Sequence, residues 1–298
     1  MGRLQSTAEW ELPLTEVSAL ALRAPGGGGR ELVAVSDEDF DVVSAALDDD
    51  GTVGEPRTHR LASALSDELV SGSEGSEFEG VACDGRGRVF ILQEGPARVL
   101  VFSEGWDELV GVIDLRVEPD EPGLGQAWHD DDARNARGEA LLLLRDSHLL
   151  VVKQRDPVCF IEFGPASGSA RGLGPDTYLA RDEAHELTAG GDTEYVVLSW
   201  WPLESDRFPG LNEVGLGDDG RLYVISSAGR RIGRIEKEVR PGEDEVRISD
   251  DWELPKGLPG GDEGKPEGLT LLPGLSPIIS IDTDEPGANL VGLEPLSS

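Results

Sequence analysis

Apolar positions along this chain come in short runs broken by Gly, Pro and acidic residues, and none keeps the 3.6-residue period of an amphipathic helix. The runs repeat as sets of three. "TEVSALAL" (15–22), "FEGVACDG" (78–85), "GEALLLLR" (138–145), "NEVGLGDD" (212–219) and "PEGLTLLP" (266–273) each place Glu second, ahead of an apolar stretch. A second run follows each: "ELVAVSDE" (31–38), "RVFILQEG" (88–95), "HLLVVKQR" (148–155), "RLYVISSA" (221–228) and "PIISIDTD" (277–284). The third runs are "DVVSAALDDDG" (41–51), "ARVLVFSEG" (97–105), "PVCFIEFG" (157–164), "RIGRIEKE" (231–238) and "NLVGLEPL" (289–296). β-Branched and aliphatic residues between turn signals such as Asp84–Gly87 and Asp218–Gly220 predict strands joined by hairpins, an antiparallel meander.

Repeated meanders without intervening helices predict an all-β fold, a five-bladed β-propeller in a single domain. The blades span roughly residues 15–70, 76–117, 136–198, 211–255 and 265–296. A fourth, outer strand is visible in "DWELP" (251–255), and the same word recurs as "EWELP" (9–13). The N-terminal piece, residues 9–14, is therefore expected to close the ring by joining the last blade, which removes an exposed sheet edge. Six blades is the alternative, because residues 165–192 have room for further strands. Two segments interrupt the pattern: the acidic 118–135 and "SWWPLESDRFPG" (199–210), read as loops at the mouth of the ring.

Charge narrows the functions open to such a fold. With 26 Lys and Arg against 59 Asp and Glu, the formal net charge is −33. Nucleic acid and anionic membrane surfaces are excluded as partners, since both need basic contact surfaces. Cations remain compatible, although most of the acids read as a solvated surface. The two cysteines, Cys83 and Cys159, have no metal-type spacing and read as buried free thiols. The start of the chain has no apolar signal segment and no run is long enough to span a membrane, which predicts a cytoplasmic protein.

The repeated glutamates are the candidate chemistry. If the first strand of each blade lines the channel, Glu16, Glu79, Glu139, Glu213 and Glu267 converge near one mouth. Carboxylates so placed must either take up protons or share a cation. Flexible oxygen ligands suit Ca²⁺ better than Mg²⁺, and the lack of His or Cys among them argues against Zn²⁺. The alternative is a ring held by water and internal ion pairs, with Arg137 and Lys265 close in sequence. A second tier lies at the polar ends of the second strands, where Asp37, Glu94, Lys153, Asp156, Asp282 and Asp284 are candidate ligand-binding residues.

The segments "FEGVACDGRGRVFILQEGPARVLVF", "GEALLLLRDSHLLVVKQRDPVCFIEFGP" and "KPEGLTLLPGLSPIISIDTDEPGANLVGLE" resemble the bacterial SdiA-regulated propeller family, related to the esterase-like phytase and NHL-repeat propellers. That resemblance implies a five-bladed propeller with a calcium ion. It carries over to Glu79, Glu139 and Glu267, and to Glu213 in the less typical "LNEVG". It implies no reaction. The sequence holds no nucleophile elbow, and His59, His129, His148 and His185 have no motif partner. Two functions follow: a calcium-binding module that takes a small molecule or a protein at the channel mouth, or a metal-dependent hydrolase of a phosphate ester or lactone.

Overall fold

The computed structural model describes residues 2–24, 28–61, 64–65, 75–130, 137–187, 192–243, 245–261, 264–283 and 287–297. Among them, twenty strands and one short helix are found. The chain opens with β1 (Ser6–Trp10) and then builds meanders in sequence order. The first holds β2 (Val17–Arg23), β3 (Arg30–Ser36), β4 (Asp41–Leu47) and β5 (Val53–Arg60). The second holds β6 (Phe78–Cys83), β7 (Val89–Gln93), β8 (Arg98–Phe102) and β9 (Leu109–Arg116). After helix α1 (Gly125–His129), the third holds β10 (Ala140–Leu143), β11 (Leu149–Lys153), β12 (Cys159–Pro165) and β13 (Asp192–Pro202). The fourth holds β14 (Glu213–Leu216), β15 (Leu222–Ser226), β16 (Arg231–Ile235) and β17 (Ile248–Glu253). The last holds β18 (Lys265–Leu272), β19 (Ser276–Asp282) and β20 (Leu290–Leu293).

Within each meander the pairing is antiparallel and sequential. The second and third join through a parallel pair, β9 with β13, into one eight-stranded sheet. β1 pairs antiparallel with β20, Trp10 opposite Leu290, so the two ends of the chain share a sheet. Asn289 fastens this closure: its side chain accepts from Leu12 N at 2.7 Å and donates to the carbonyls of Leu12 and Leu14.

The first strands form a ring. β2 packs against β6 and β18, β10 against β6 and β14, and β14 against β18. Between successive meanders lie separate hydrophobic clusters, such as Phe90, Val101, Leu141 and Phe163 between the second and third. Second strands such as β7, β11 and β15 are buried on both faces, which is why their sequences run continuously apolar. The fourth strands carry the solvent boundary, and β9 alternates inward and outward residues.

Both interrupting segments contribute to the core. Trp201 lies in β13, fully buried, with its indole N–H donating to Arg240 O at 3.1 Å. Leu124 and Trp128 of the acidic segment are buried between the second and third meanders. Residues 166–187 add isolated bridges, Leu144 with Tyr178 and Leu173 with Val239. Cys83 and Cys159 are free thiols, Cys159 buried and Cys83 partly so. No helix among the described residues is long and apolar enough to cross a membrane.

Candidate functional site: an acidic cup at the mouth of the ring

Glu79 and Glu267 are aimed by irregularities at the starts of their first strands. In the second meander Phe78 pairs with Gln93 and Gly80 with Leu92, so Glu79 is an extra residue in its strand. In the last meander Pro266 pairs with Ile281 and Leu269 with Ile279, leaving Glu267 and Gly268 opposite Ser280. Such bulges bend the strand and re-aim a side chain. The small residue after the glutamate has a packing cause. A Cβ on Gly80 would stand 3.0 Å from Leu141 N, and one on Gly268 would stand 2.6 Å from Ser280 Oγ. In the first meander the bulged residue is Ser18, whose hydroxyl donates to Phe78 O at 2.5 Å, while Glu16 lies just before the strand with φ 47°.

Because second strands run back to the same end, their final residues meet the glutamates. The result is a cavity of ≈ 410 Å³ lined by Glu16, Glu79, Glu139, Glu267, by Asp37, Glu94 and Asp282, and by Glu38, Glu77, Gln154, Lys265 and Gly75. Nine of these twelve residues are acidic and Lys265 is the one base, so the lining cannot neutralise itself. Lys265 is committed to Asp282 at 2.7 Å. Glu94 Oε1 accepts from Arg137 N at 2.6 Å, and Glu139 Oε2 accepts from the Gln154 amide at 3.1 Å. Asp37 Oδ1 is buried with no hydrogen-bond partner among the described residues.

Burial and mutual repulsion push these carboxyls up. Glu79 lies well above the usual carboxylate range, first through burial and then through Glu94, Asp37 and Glu267. Glu139 does so through burial, Glu79 and Glu94. Burial, with Glu77 adding to it and Arg137 opposing, brings Glu94 to about 7. Burial and Asp282, partly offset by Lys265, bring Glu267 to about 8. The cup therefore disfavours its own negative charge, the condition that a bound cation relieves.

Other sequence candidates stand elsewhere. Glu213 is buried below the cup, accepting from Val214 N at 2.9 Å and from Leu20 N at 3.3 Å, with its carboxyl pushed well up by burial. Lys153 is fully buried; its ammonium donates to Arg155 O, and burial lowers its pKa. Asp156 is exposed and does not line the cavity. Asp284 lies outside the described residues. The sequence reading passed over Glu38, Glu77 and Gln154. Glu77 carried a signal, since the spacing "EFE" places it on the same side as Glu79 in extended chain. Beneath the cup, Leu20, Val81, Leu141, Val214 and Leu269, with Thr270 and Arg181, line a narrow space of ≈ 80 Å³.

The donors are all oxygen, with no His or Cys in the lining. Among the described residues, no three His, Cys, Asp or Glu side chains already stand in ligating geometry. The cup thus supplies the right donor chemistry for a hard cation, with carboxylates that have to draw together to ligate it.

No family model and no curated protein matches the chain, and membership of the SdiA-regulated family is not shown. Solved structures do resemble it. Glutaminyl cyclase from Myxococcus xanthus aligns with a TM-score of 0.50 at 12% identity, over 99% of both chains. A catalytically inactive variant of virginiamycin B lyase from Staphylococcus aureus, solved with quinupristin, gives 0.47 at 10% identity over 99% of both chains. The Cps50 (Swd1) β-propeller domain from Myceliophteria thermophila gives 0.42 at 10% identity, over 94% of this chain and 84% of that one. At these identities the likeness concerns the fold alone, an all-β arrangement of successive antiparallel meanders.

Proposed function

We propose that this protein is a five-bladed propeller whose acidic cup binds Ca²⁺ and serves as a ligand-binding or interaction module. The blade count rests on the five first strands packed in a ring. The ion rests on one observation: nine carboxylates and a single, already paired ammonium line a ≈ 410 Å³ cavity. Glu79, Glu139, Glu267 and Asp37 are the expected ligands. Ca²⁺ is preferred because it accepts six to eight oxygens in flexible geometry, whereas Mg²⁺ demands a tight octahedron. The resemblance to SdiA-regulated propellers points the same way. Thermal unfolding of EDTA-treated protein tests the reading. Ca²⁺ should raise the midpoint well beyond Mg²⁺ at matched ionic strength, because binding to the folded state alone stabilises it. Equal shifts with both ions would reduce the effect to charge screening.

A second reading is favoured by size. The cavity greatly exceeds the ~30 Å³ share of one water, so an ion would leave room for a small ester and an attacking water. In a metal-dependent hydrolase Glu94, held by Arg137 N, would be the base. Turnover of a phosphate monoester or lactone that requires Ca²⁺ and is lost in Glu94→Gln would establish it; turnover undiminished in that variant would remove it.

A further inference from the structure

We propose that a second site, between the fourth and last meanders, binds an oxyanion, the carboxylate or phosphate group of a small ligand. It is independent of the calcium reading, because it rests on a different cavity. This space, ≈ 470 Å³, opens between the N-terminal segment, the β15–β16 turn and the link from β17 to β18. Four of its nine lining residues are basic (Arg3, Arg230, Arg231 and Lys256) and only Glu253 is acidic. On a chain with 59 acids against 26 bases, that reversal is local and strong.

The charges do not cancel. Three guanidiniums share two carboxylates: Arg207 and Arg231 both engage Asp251, while Arg231 and Arg3 each hold Glu253 at 2.8 Å. Arg230 and Lys256 add two further charges. Arg230 reaches Gly264 O through a long bond of 3.4 Å, and Lys256 is exposed with no hydrogen bond or ion pair to a described residue. Donors are thus left for a ligand. Guanidinium forks and an ammonium are the groups that hold carboxylate and phosphate oxygens. At physiological salt the screening length is about 8 Å, so distant acids weaken this local field little.

The walls are tied in place. Leu254 N donates to Arg230 O at 3.0 Å, Leu4 N to Glu253 O at 2.9 Å, and buried Leu254 forms part of the lining. Arg230 holds the left-handed backbone region, φ 47°, which fixes where its side chain leaves the turn. Gly264, which Arg230 touches, precedes Lys265 of the acidic cup, so two cavities of opposite sign flank one connection.

The test titrates calcium-free protein at physiological salt with inorganic phosphate and, separately, succinate, followed by calorimetry. Saturable binding of either is expected. It should weaken roughly tenfold or more in Lys256→Gln and in Arg230→Asn, the scale of one charge-assisted hydrogen bond. Asn is chosen because it tolerates the left-handed backbone. The control Lys237→Gln, at an exposed position outside the cavity, should bind as the wild type does. Response to phosphate alone assigns a phosphorylated ligand, and response to succinate alone a carboxylated one. If neither probe saturates, or both cavity variants bind like the wild type, the proposal is wrong. Near-ultraviolet circular dichroism confirms that each variant is folded.

Discussion

Leu20 and Glu213, in β2 and β14, meet inside the ring: the Leu20 amide donates to the Glu213 carboxylate at 3.3 Å. Val214 N fills the other oxygen at 2.9 Å, so this carboxyl is satisfied by backbone rather than by an ion. Glu213→Gln keeps one acceptor oxygen but turns its NH2 toward the other backbone N–H, and should cost roughly 1 kcal/mol. Glu213→Ala leaves two buried amides without that acceptor and should cost about 2 kcal/mol or more. Urea unfolding measures both, and neither variant should alter calcium binding.

Gly268 sits where the last meander touches the first. A methyl there would meet Ser280 Oγ at 2.6 Å and Leu20 Cγ at 2.8 Å. Ser280 cannot yield freely, because its hydroxyl donates to Val17 O and accepts from Gly268 N. Gly268→Ala should therefore destabilise by about 1–3 kcal/mol, read as a lower urea midpoint with an unchanged m-value.

His185 makes stability depend on pH. Burial brings its pKa to about 4; Nε2 lies 3.1 Å from His148 O, and Nδ1 is buried without a hydrogen-bond partner among the described residues. The unfolded chain takes up this proton near the ordinary value of 6.5. Its contribution is thus complete above that pH and is lost as pH falls from 6.5 to about 4, a change of about 3 kcal/mol. Unfolding free energies of the wild type and His185→Gln, measured across this range, should diverge by that amount in total. Parallel curves would mean the imidazole is not the group responsible.

What the sequence made legible follows the physics of burial. Strands such as β7 and β11 are buried on both faces and announce themselves as unbroken aliphatic runs. β5, "VGEPRTHR", is almost wholly exposed, so no pattern marks it. Trp200 and Trp201 look like loop residues in sequence, and only the pairing of β13 with β12 makes them strand. The convergence of Glu79, Glu139, Glu267 and Glu16 was legible from the repeat. The departure of Glu213 had no mark of its own: Val214 follows it, but Val17 follows Glu16, which does line the cup. Strand position alone does not say which way a long side chain turns, and the Lys153 ammonium turns back to Arg155 O.

The central claim is that the cup holds Ca²⁺, and calorimetric titration of EDTA-treated protein addresses it most directly. The account predicts saturable Ca²⁺ binding at a single site, much weaker Mg²⁺ binding, and loss of the site in the double variant Glu79→Gln, Glu139→Gln. That variant should also be more stable than the wild type without metal, on the order of 1 kcal/mol, because it removes buried like charges. Indistinguishable heats from Ca²⁺ and Mg²⁺ that persist in the double variant would contradict the account, and assign the response to a surface of net charge −33.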